Sequence, residues 1–443
     1  MATAKADIFK ATDRTTKSAI PIVVFVANLT SLPTMAGHQT GLWNPDLNHH
    51  LTGSDRHWSA PVRLVISVAA LLFGAICAAK AETGIFDDRV VFGQSAAFEG
   101  PAASLGTAFR DGLQAAFAEV NRAGGVHGRR LDLISYDDGY EPERAIANTN
   151  RLIGEDEIFA LIGEVGTPTS RAAQPIAEKN DVPFVGPFSG AAFLRNAALK
   201  TVINMRASYD EEAETLVDYL TADLGFDRIA VLYQDDTFGL SGLAGVTTAL
   251  QNRGLDPVAD GTYRRNTTAV KRALLTIRRA DPQAIIIVGA YKPTAVFIRT
   301  ARDIGMDTVF AALSFVGGQA LAAELGRTDG TVLVSQVVPL FDDRSLPLVA
   351  RFRDALAASA PEAEAGFVAL EGYIVGRLTV DALDRLGPQP NRAAFLALFG
   401  KPAVFDIDGL ELTYDAGDNQ GSDEIYLTKI QPDGSFAAVD QPE

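Results

Sequence analysis

The stretch Phe159–Gly190, FALIGEVGTPTSRAAQPIAEKNDVPFVGPFSG, constrains the fold most. A short apolar run at Phe159–Gly163 ends in a turn at Glu164–Pro168, and Thr169–Asn180 follows with helical spacing. Val182–Val185 is a second buried-strand run that also ends in a Gly/Ser turn, Gly186–Gly190. A strand that ends in Gly and hydroxyl residues before a helix aims free backbone N–H groups at one point, with the helix dipole behind them, which suits an anion. A carboxylate there gains roughly 0.3–1 kcal/mol from the dipole, and hydrogen bonds to the charged group add roughly 1.5–3 kcal/mol. The hydroxyls of Thr167, Thr169, Ser170 and Ser189 are the candidate donors. Ser and Thr at such places also serve as ordinary helix N-caps.

The same rhythm runs through the chain. Val90–Gly93 and Leu131–Tyr136 read as strands around a helix Leu105–Arg122, and Pro142 opens another helix at a first-turn position. Val202–Met205 is extended, Asp210 can cap a helix Glu211–Leu224, and the alternation restarts. Arg228–Tyr233, Leu255–Tyr263, Ala284–Gly289 and Thr308–Ala312 are the strands of this second half, and Thr331–Val338 is a long one ended by Pro339. Helices follow at Leu346–Ala358, Ala365–Leu386 and Asn391–Phe399, and the tail from Ala403 reads as strands and turns. Strand–helix alternation of this kind implies an α/β protein with parallel sheets covered on both faces.

Pro61–Ala81 has the form of a secretory signal: one Arg, an apolar run, then Ala79-Lys80-Ala81 as an A-x-A cleavage site. The run is short of the ~20 residues a membrane span needs, so cleavage after Ala81 and a periplasmic mature protein are expected. Residues 1–60 hold both tryptophans and four of the five histidines; that compositional break marks them as an untranslated or disordered leader. A formal charge of −16 argues against nucleic acid and anionic membrane surfaces as partners. The single cysteine, Cys77, falls in the signal, and His127 is the one imidazole beyond it. Zinc sites, other metal or cofactor chemistry and Ser–His or Cys–His catalysis therefore lose their usual parts, and no enzyme is expected.

Nine phrases, in order, carry a family resemblance: Gly93–Gly100 (GQSAAFEG), Asn121–Leu131 (NRAGGVHGRRL), Ser135–Glu143 (SYDDGYEPE), Phe159–Ala173, Asp181–Pro187 (DVPFVGP), Ile229–Gly239 (IAVLYQDDTFG), Ser314–Gly317 (SFVG), Ser335–Pro339 (SQVVP) and Leu370–Tyr373 (LEGY). Together they resemble the periplasmic substrate-binding proteins of branched-chain amino-acid-type ABC transporters. The resemblance implies the type I periplasmic-binding fold: two doubly wound parallel-sheet lobes joined by three crossing strands. It places lobe one at 88–204 plus 339–401 and lobe two at 205–338 plus 402–443, with crossings near Arg206, Val337 and Pro402. It implies an extracytoplasmic, monomeric receptor that clamps a small amino acid or related carboxylate and delivers it to an inner-membrane ABC permease; a sensing receptor of the same fold is the alternative.

By position, the resemblance assigns the ligand's carboxylate to Gly166, Thr167, Phe188, Ser189 and Gly190, with Gln94 and Leu105 flanking, and aromatic walls to Phe238 and Tyr291. Branched-chain amino-acid binders use an acidic residue from lobe two for the ligand's ammonium. Ser314-Phe315 occupies that place here, so an acid without an amine is a candidate ligand, and Asp235, Asp236 or Glu164 are candidate substitutes for the missing acid.

Overall fold

The computed structural model describes residues 82–327 and 330–439; the expected leader and signal, 1–81, lie outside them. The first half runs β1 (Arg89–Ala96), α1 (Ala103–Arg122), β2 (Arg130–Asp137), α2 (Pro142–Gly154), β3 (Ala160–Ile162), α3 (Thr167–Lys179), β4 (Phe184–Val185) and β5 (Val202–Ile203). The second runs α4 (Tyr209–Asp218), β6 (Ile229–Gln234), α5 (Thr237–Gln251), β7 (Asp260–Tyr263), α6 (Lys271–Arg279), β8 (Ala284–Val288), α7 (Tyr291–Asp303), β9 (Val309–Ala312), α8 (Gly318–Leu325) and β10 (Val332–Gln336). Helices α9 (Pro347–Ser359), α10 (Phe367–Leu386) and α11 (Arg392–Phe399) precede β11 (Ala403–Ile407), β12 (Leu410–Tyr414), β13 (Tyr426–Ile430) and β14 (Phe436–Ala438).

Two sheets result. The first, in the order β2-β1-β3-β4-β5, is parallel throughout. The second, β14-β13-β10-β9-β8-β6-β7, is parallel from β10 to β7 and carries two antiparallel strands at one edge. Its central strand β8 is AIIIV, buried at every position, because helices cover both faces. Helix α10 lies on α1 of the first lobe at backbone contact. A Cβ at Gly112 would sit 1.9 Å from the Ala369 oxygen, and one at Gly372 2.2 Å from the Phe109 oxygen.

Three local expectations need correction. Helix α4 starts at Tyr209, and its cap is Ser208, not Asp210: Ser208 Oγ accepts from the Glu211 amide at 3.2 Å while Glu211 accepts from the Ser208 amide at 2.6 Å. This reciprocal box satisfies two otherwise orphaned donors, which a lone Asp at the next turn would not. Of Leu255–Tyr263 only Asp260–Tyr263 pairs as strand. The third passage between lobes lies beyond Gln420, which bridges Asn204, rather than near Pro402. The β11–β12 hairpin stays with the first lobe because its aromatics need partners there: Phe405 stacks on Phe399 at 5.0 Å, and the Tyr414 hydroxyl donates to the Asn204 carbonyl at 2.9 Å.

Candidate functional site

The two strand-to-helix turns meet at the seam between the lobes. Gly166 caps α3 with φ +110°, a conformation that favours glycine; a Cβ there would lie 2.2 Å from the Tyr140 ring. Thr167 is therefore the first helical residue rather than the cap, and its hydroxyl is free to face the seam. It lies 2.8 Å from the Ser189 hydroxyl and 3.3 Å from that of Tyr209, on α4 of the second half. Thr169 turns back to the Val165 and Gly166 carbonyls, at 2.7 and 3.0 Å, and so serves the turn itself. The Gly190 carbonyl accepts from the Tyr209 amide at 2.7 Å.

Rings close the seam from both sides. Phe315 stacks on Phe188, with centroids 5.1 Å apart and planes 28° apart, and packs on Phe238 at 4.5 Å. Tyr209 meets Phe238 at 5.4 Å and Tyr140 meets Phe315 at 6.0 Å. Tyr291 stands at the rim of this group. Its hydroxyl accepts from the Ser104 amide of the first lobe at 3.4 Å, and with Leu105, Asp111, Gly317 and Gln319 it lines a cavity of about 700 Å³ between the lobes. A cavity of about 750 Å³ at the outer edge of the first sheet, beside Val202, Arg392 and Asp418, is remote from these residues. Gln94 is not brought to the seam group: it donates to the Gly163 carbonyl and accepts from Ser135, both at 3.0 Å, within the first sheet.

Ser314 has a different environment from the one its position suggested. Its amide donates to Glu212 at 2.7 Å, its hydroxyl bonds Glu212 at 3.0 Å, and Arg206 Nη2 donates to the same hydroxyl. Arg206 Nη2 also reaches Glu212 at 2.7 Å, Nη1 faces Glu371 at 3.5 Å, and the guanidinium lies 5.2 Å from the Phe188 ring centroid. Arg206 had appeared in the sequence only as a crossing point, and Glu371 only within the phrase LEGY. The Ser208–Glu211 box was the available signal, since starting the helix at Tyr209 turns Tyr209 and Glu212 into the seam.

The family model described as periplasmic binding protein matches residues 90–435. The chain belongs to the periplasmic binding protein family. It is 28% identical over 274 residues to an amino acid binding protein of Pseudomonas aeruginosa, covering 60% of this chain and 71% of that one. It is 27% identical over 250 residues to Leu/Ile/Val-binding protein homolog 7 of Brucella suis, covering 55% of this chain and 60% of the relative. The structure of a "possible leucine/isoleucine/valine-binding protein" from Rhodopirellula baltica SH 1 superposes with a TM-score of 0.75 at 38% identity, over 82% of this chain and 98% of that one. The two-lobed α/β fold of the type I periplasmic binding proteins is thereby established. Among the described residues no helix is long and apolar enough to cross a membrane.

In this periplasmic binding protein the seam carries several shifted acids. Burial, and then the charge of Asp138, pushes Glu164 well above the carboxylate range, and neither of its oxygens has a hydrogen bond among the described residues. Burial raises Asp138 to about 6 against hydrogen bonds from Ser95 and the Tyr140 amide. Burial raises Glu371 to about 7; Arg206 and Arg195 pull it down and Glu212 pushes it up. Asp236 caps α5 through the Phe238 amide at 3.0 Å and pairs with Arg265 at 3.1 Å, while Asp235 is exposed. Of the three candidate substitutes for a lobe-two acid, one is exposed, one is committed and one is buried with its pKa pushed well upward.

Proposed function

We propose that this protein is the solute-binding component of an ABC importer, exported with cleavage after Ala81, which clamps a small carboxylate-bearing ligand between its lobes and passes it to an inner-membrane permease. The observation that carries this reading is the meeting of Thr167 and Ser189, from two separate strand-to-helix turns, at 2.8 Å against the Tyr209 hydroxyl of the other lobe. Hydroxyls that converge in a ring-lined, water-excluding seam suit one small polar group with an apolar body. The anchor would hold the carboxylate, with Gly166, Phe188 and Gly190 shaping the turns. Phe238, Phe315 and Tyr291 would take the remainder, Ser314 would sit behind the rings, and the cavity beside Tyr291 gives the body room. The names of the Pseudomonas and Brucella relatives support an amino acid or a related acid.

Entry requires the lobes to part at the three crossings, a hinge motion, and closure then buries the ligand. Micromolar affinity needs about −8 kcal/mol. Charge-assisted hydrogen bonds of roughly 1.5–3 kcal/mol each, with two aromatic contacts, reach that after the ordering cost. A thermal-shift screen of amino acids, aromatic acids and dicarboxylates tests the reading, because a ligand at 100 times its Kd adds about 2.7 kcal/mol of stability. No stabilisation by any small acid would overturn it.

A further inference from the structure

We propose that Arg206 selects the ligand, and that what it selects is a carboxylate with no α-ammonium group. The inference rests on the seam being the binding site. Arg206 is 1% exposed, yet its Nε and Nη1 make no hydrogen bond among the described residues. Only Nη2 is committed, to Glu212 and Ser314. A buried guanidinium presents five donors in a planar fork; both of its two-nitrogen edges share the committed Nη2, so Nε, and Nη1 beside Glu371, each keep a donor that can serve one carboxylate oxygen. The guanidinium lies among the groups that line the seam: the Phe188 ring centroid is 5.2 Å from its carbon, that of Tyr209 is 5.8 Å away, and Tyr209 also reaches the Thr167 hydroxyl.

No free carboxylate balances the other end of an amino acid. Glu212 is saturated by Arg206, the Ser314 amide and hydroxyl, and the Ser335 hydroxyl. Glu164 is buried with its charged form disfavoured, Asp236 is committed, and the lobe-two place is Ser314. Glu371 remains. It faces Arg206 at 3.5 Å, beyond hydrogen-bond reach, and the other charges that act on it are Glu212 and Arg195. With its carboxyl already raised to about 7, Glu371 accepts a proton readily when a second carboxylate docks on Arg206. Binding of a simple acid thus takes up protons near neutrality, whereas an ammonium ligand would hold Glu371 ionised and release them.

The test is calorimetry on the mature chain near pH 7, in two buffers of different ionisation enthalpy. The probes are leucine, α-ketoisocaproate (leucine with its amine replaced by a carbonyl oxygen) and benzoate. The expected result is that α-ketoisocaproate or benzoate binds with net proton uptake and leucine binds more weakly or not at all. Arg206→Gln should weaken the acid by about tenfold or more, as loss of a charged hydrogen bond implies. Glu371→Gln should abolish the uptake whatever it does to affinity, which tests the proposal even where the arginine variant does not fold. Tighter binding of leucine, proton release, or undiminished affinity in Arg206→Gln overturns it. If Thr167→Ala weakens the ligand and Arg206→Gln does not, the seam reading stands and this proposal falls. If neither variant matters, both fall; if neither the keto acid nor benzoate binds, this proposal falls and the wider screen decides the seam reading.

Discussion

The seam holds the same chemical unit twice, an arginine between two acids, once at its centre and once at its mouth. At the centre Arg206 faces Glu212 and Glu371, all three with side chains at most 4% exposed. At the mouth Arg265, from the turn after β7, donates to Glu141 of the first lobe at 2.7 Å and to Asp236 of the second at 3.1 Å. There Glu141 is 40% exposed, and Asn266 adds bonds to Glu141 at 2.7 Å and to the Gly139 carbonyl at 3.0 Å. Identical groups have opposite uses in the two dielectrics. In the interior an ion without its partner is very costly, so the central unit must stay matched and can respond to a ligand's charge. At the mouth water reaches Glu141 and part of Arg265, though Asp236 is only 10% exposed, so the arm to Glu141 can break and re-form as the lobes move.

The sharpest way to break the comparison is to orphan the central arginine. Glu212→Ala removes the carboxylate that bonds Arg206, the Ser314 amide and hydroxyl, and Ser335. Stability should fall by roughly 3–5 kcal/mol, the usual loss when one member of a buried pair is removed, as read from urea unfolding. A loss below about 1 kcal/mol would mean that water reaches the centre as it reaches the mouth.

Next in size is a pH effect confined to the centre. Glu371 titrates at about 7 in the folded protein against an ordinary value of 4.5. Between those values the folded protein holds a proton that the unfolded chain has released, so stability is greatest below the lower value and declines as pH rises through the upper one. A shift of this size is on the order of 3 kcal/mol. Unfolding midpoints should therefore drop from mildly acidic to slightly alkaline pH, and Glu371→Gln should make the drop shallower, the rest belonging to the other acids raised by burial, Glu164 among them. A residue of the slope should persist up to about 6, where Asp138 titrates. An unchanged slope in the variant would assign the effect to another acid.

Thr167→Ala separates binding from folding. Its hydroxyl bonds only other hydroxyls across the seam, so the fold should lose little while ligand affinity falls by roughly 1–3 kcal/mol in calorimetry. Equal losses in melting temperature and affinity would make Thr167 structural.

Local periodicity made the lobes legible. Strands such as β8 and helices such as α1 announce themselves because each is a continuous apolar run or stripe that must be covered. The turns at Gly166–Thr167 and Ser189–Gly190 were legible for a related reason: glycine beside hydroxyls at a strand end is both a conformational and a chemical signal. The central ion cluster was not. Arg206 and Glu212 are only six residues apart but Glu371 is far from both in the sequence, and only the packing of its helix at the seam brings it to them. The hairpin of β11 and β12 was misassigned for the same reason, since its preference for Phe399 over the second sheet is a tertiary choice.

The smallest expected effect lies at the mouth. Arg265→Ala removes both arms of the clasp to Glu141 and Asp236 but leaves the Asn266 bonds and the bond from Gln234 to the Tyr140 hydroxyl, 3.3 Å across the seam. Glu141 is 40% exposed but Arg265 is 21% and Asp236 10%, so the clasp should contribute near the upper end of the roughly 0.2–1 kcal/mol of exposed pairs, and ligand affinity should fall by about fivefold. Because the clasp touches the lobes and not the ligand site, the loss should appear as faster dissociation, with the same factor for every ligand. It should also vanish near 1 M salt, where the screening length is about 3 Å. The Arg206→Gln loss should survive that salt, because water and ions do not reach the centre. A salt-insensitive loss at Arg265 would show the mouth to be as dry as the centre, and the contrast between the two arginines would then have to rest on geometry rather than on solvent.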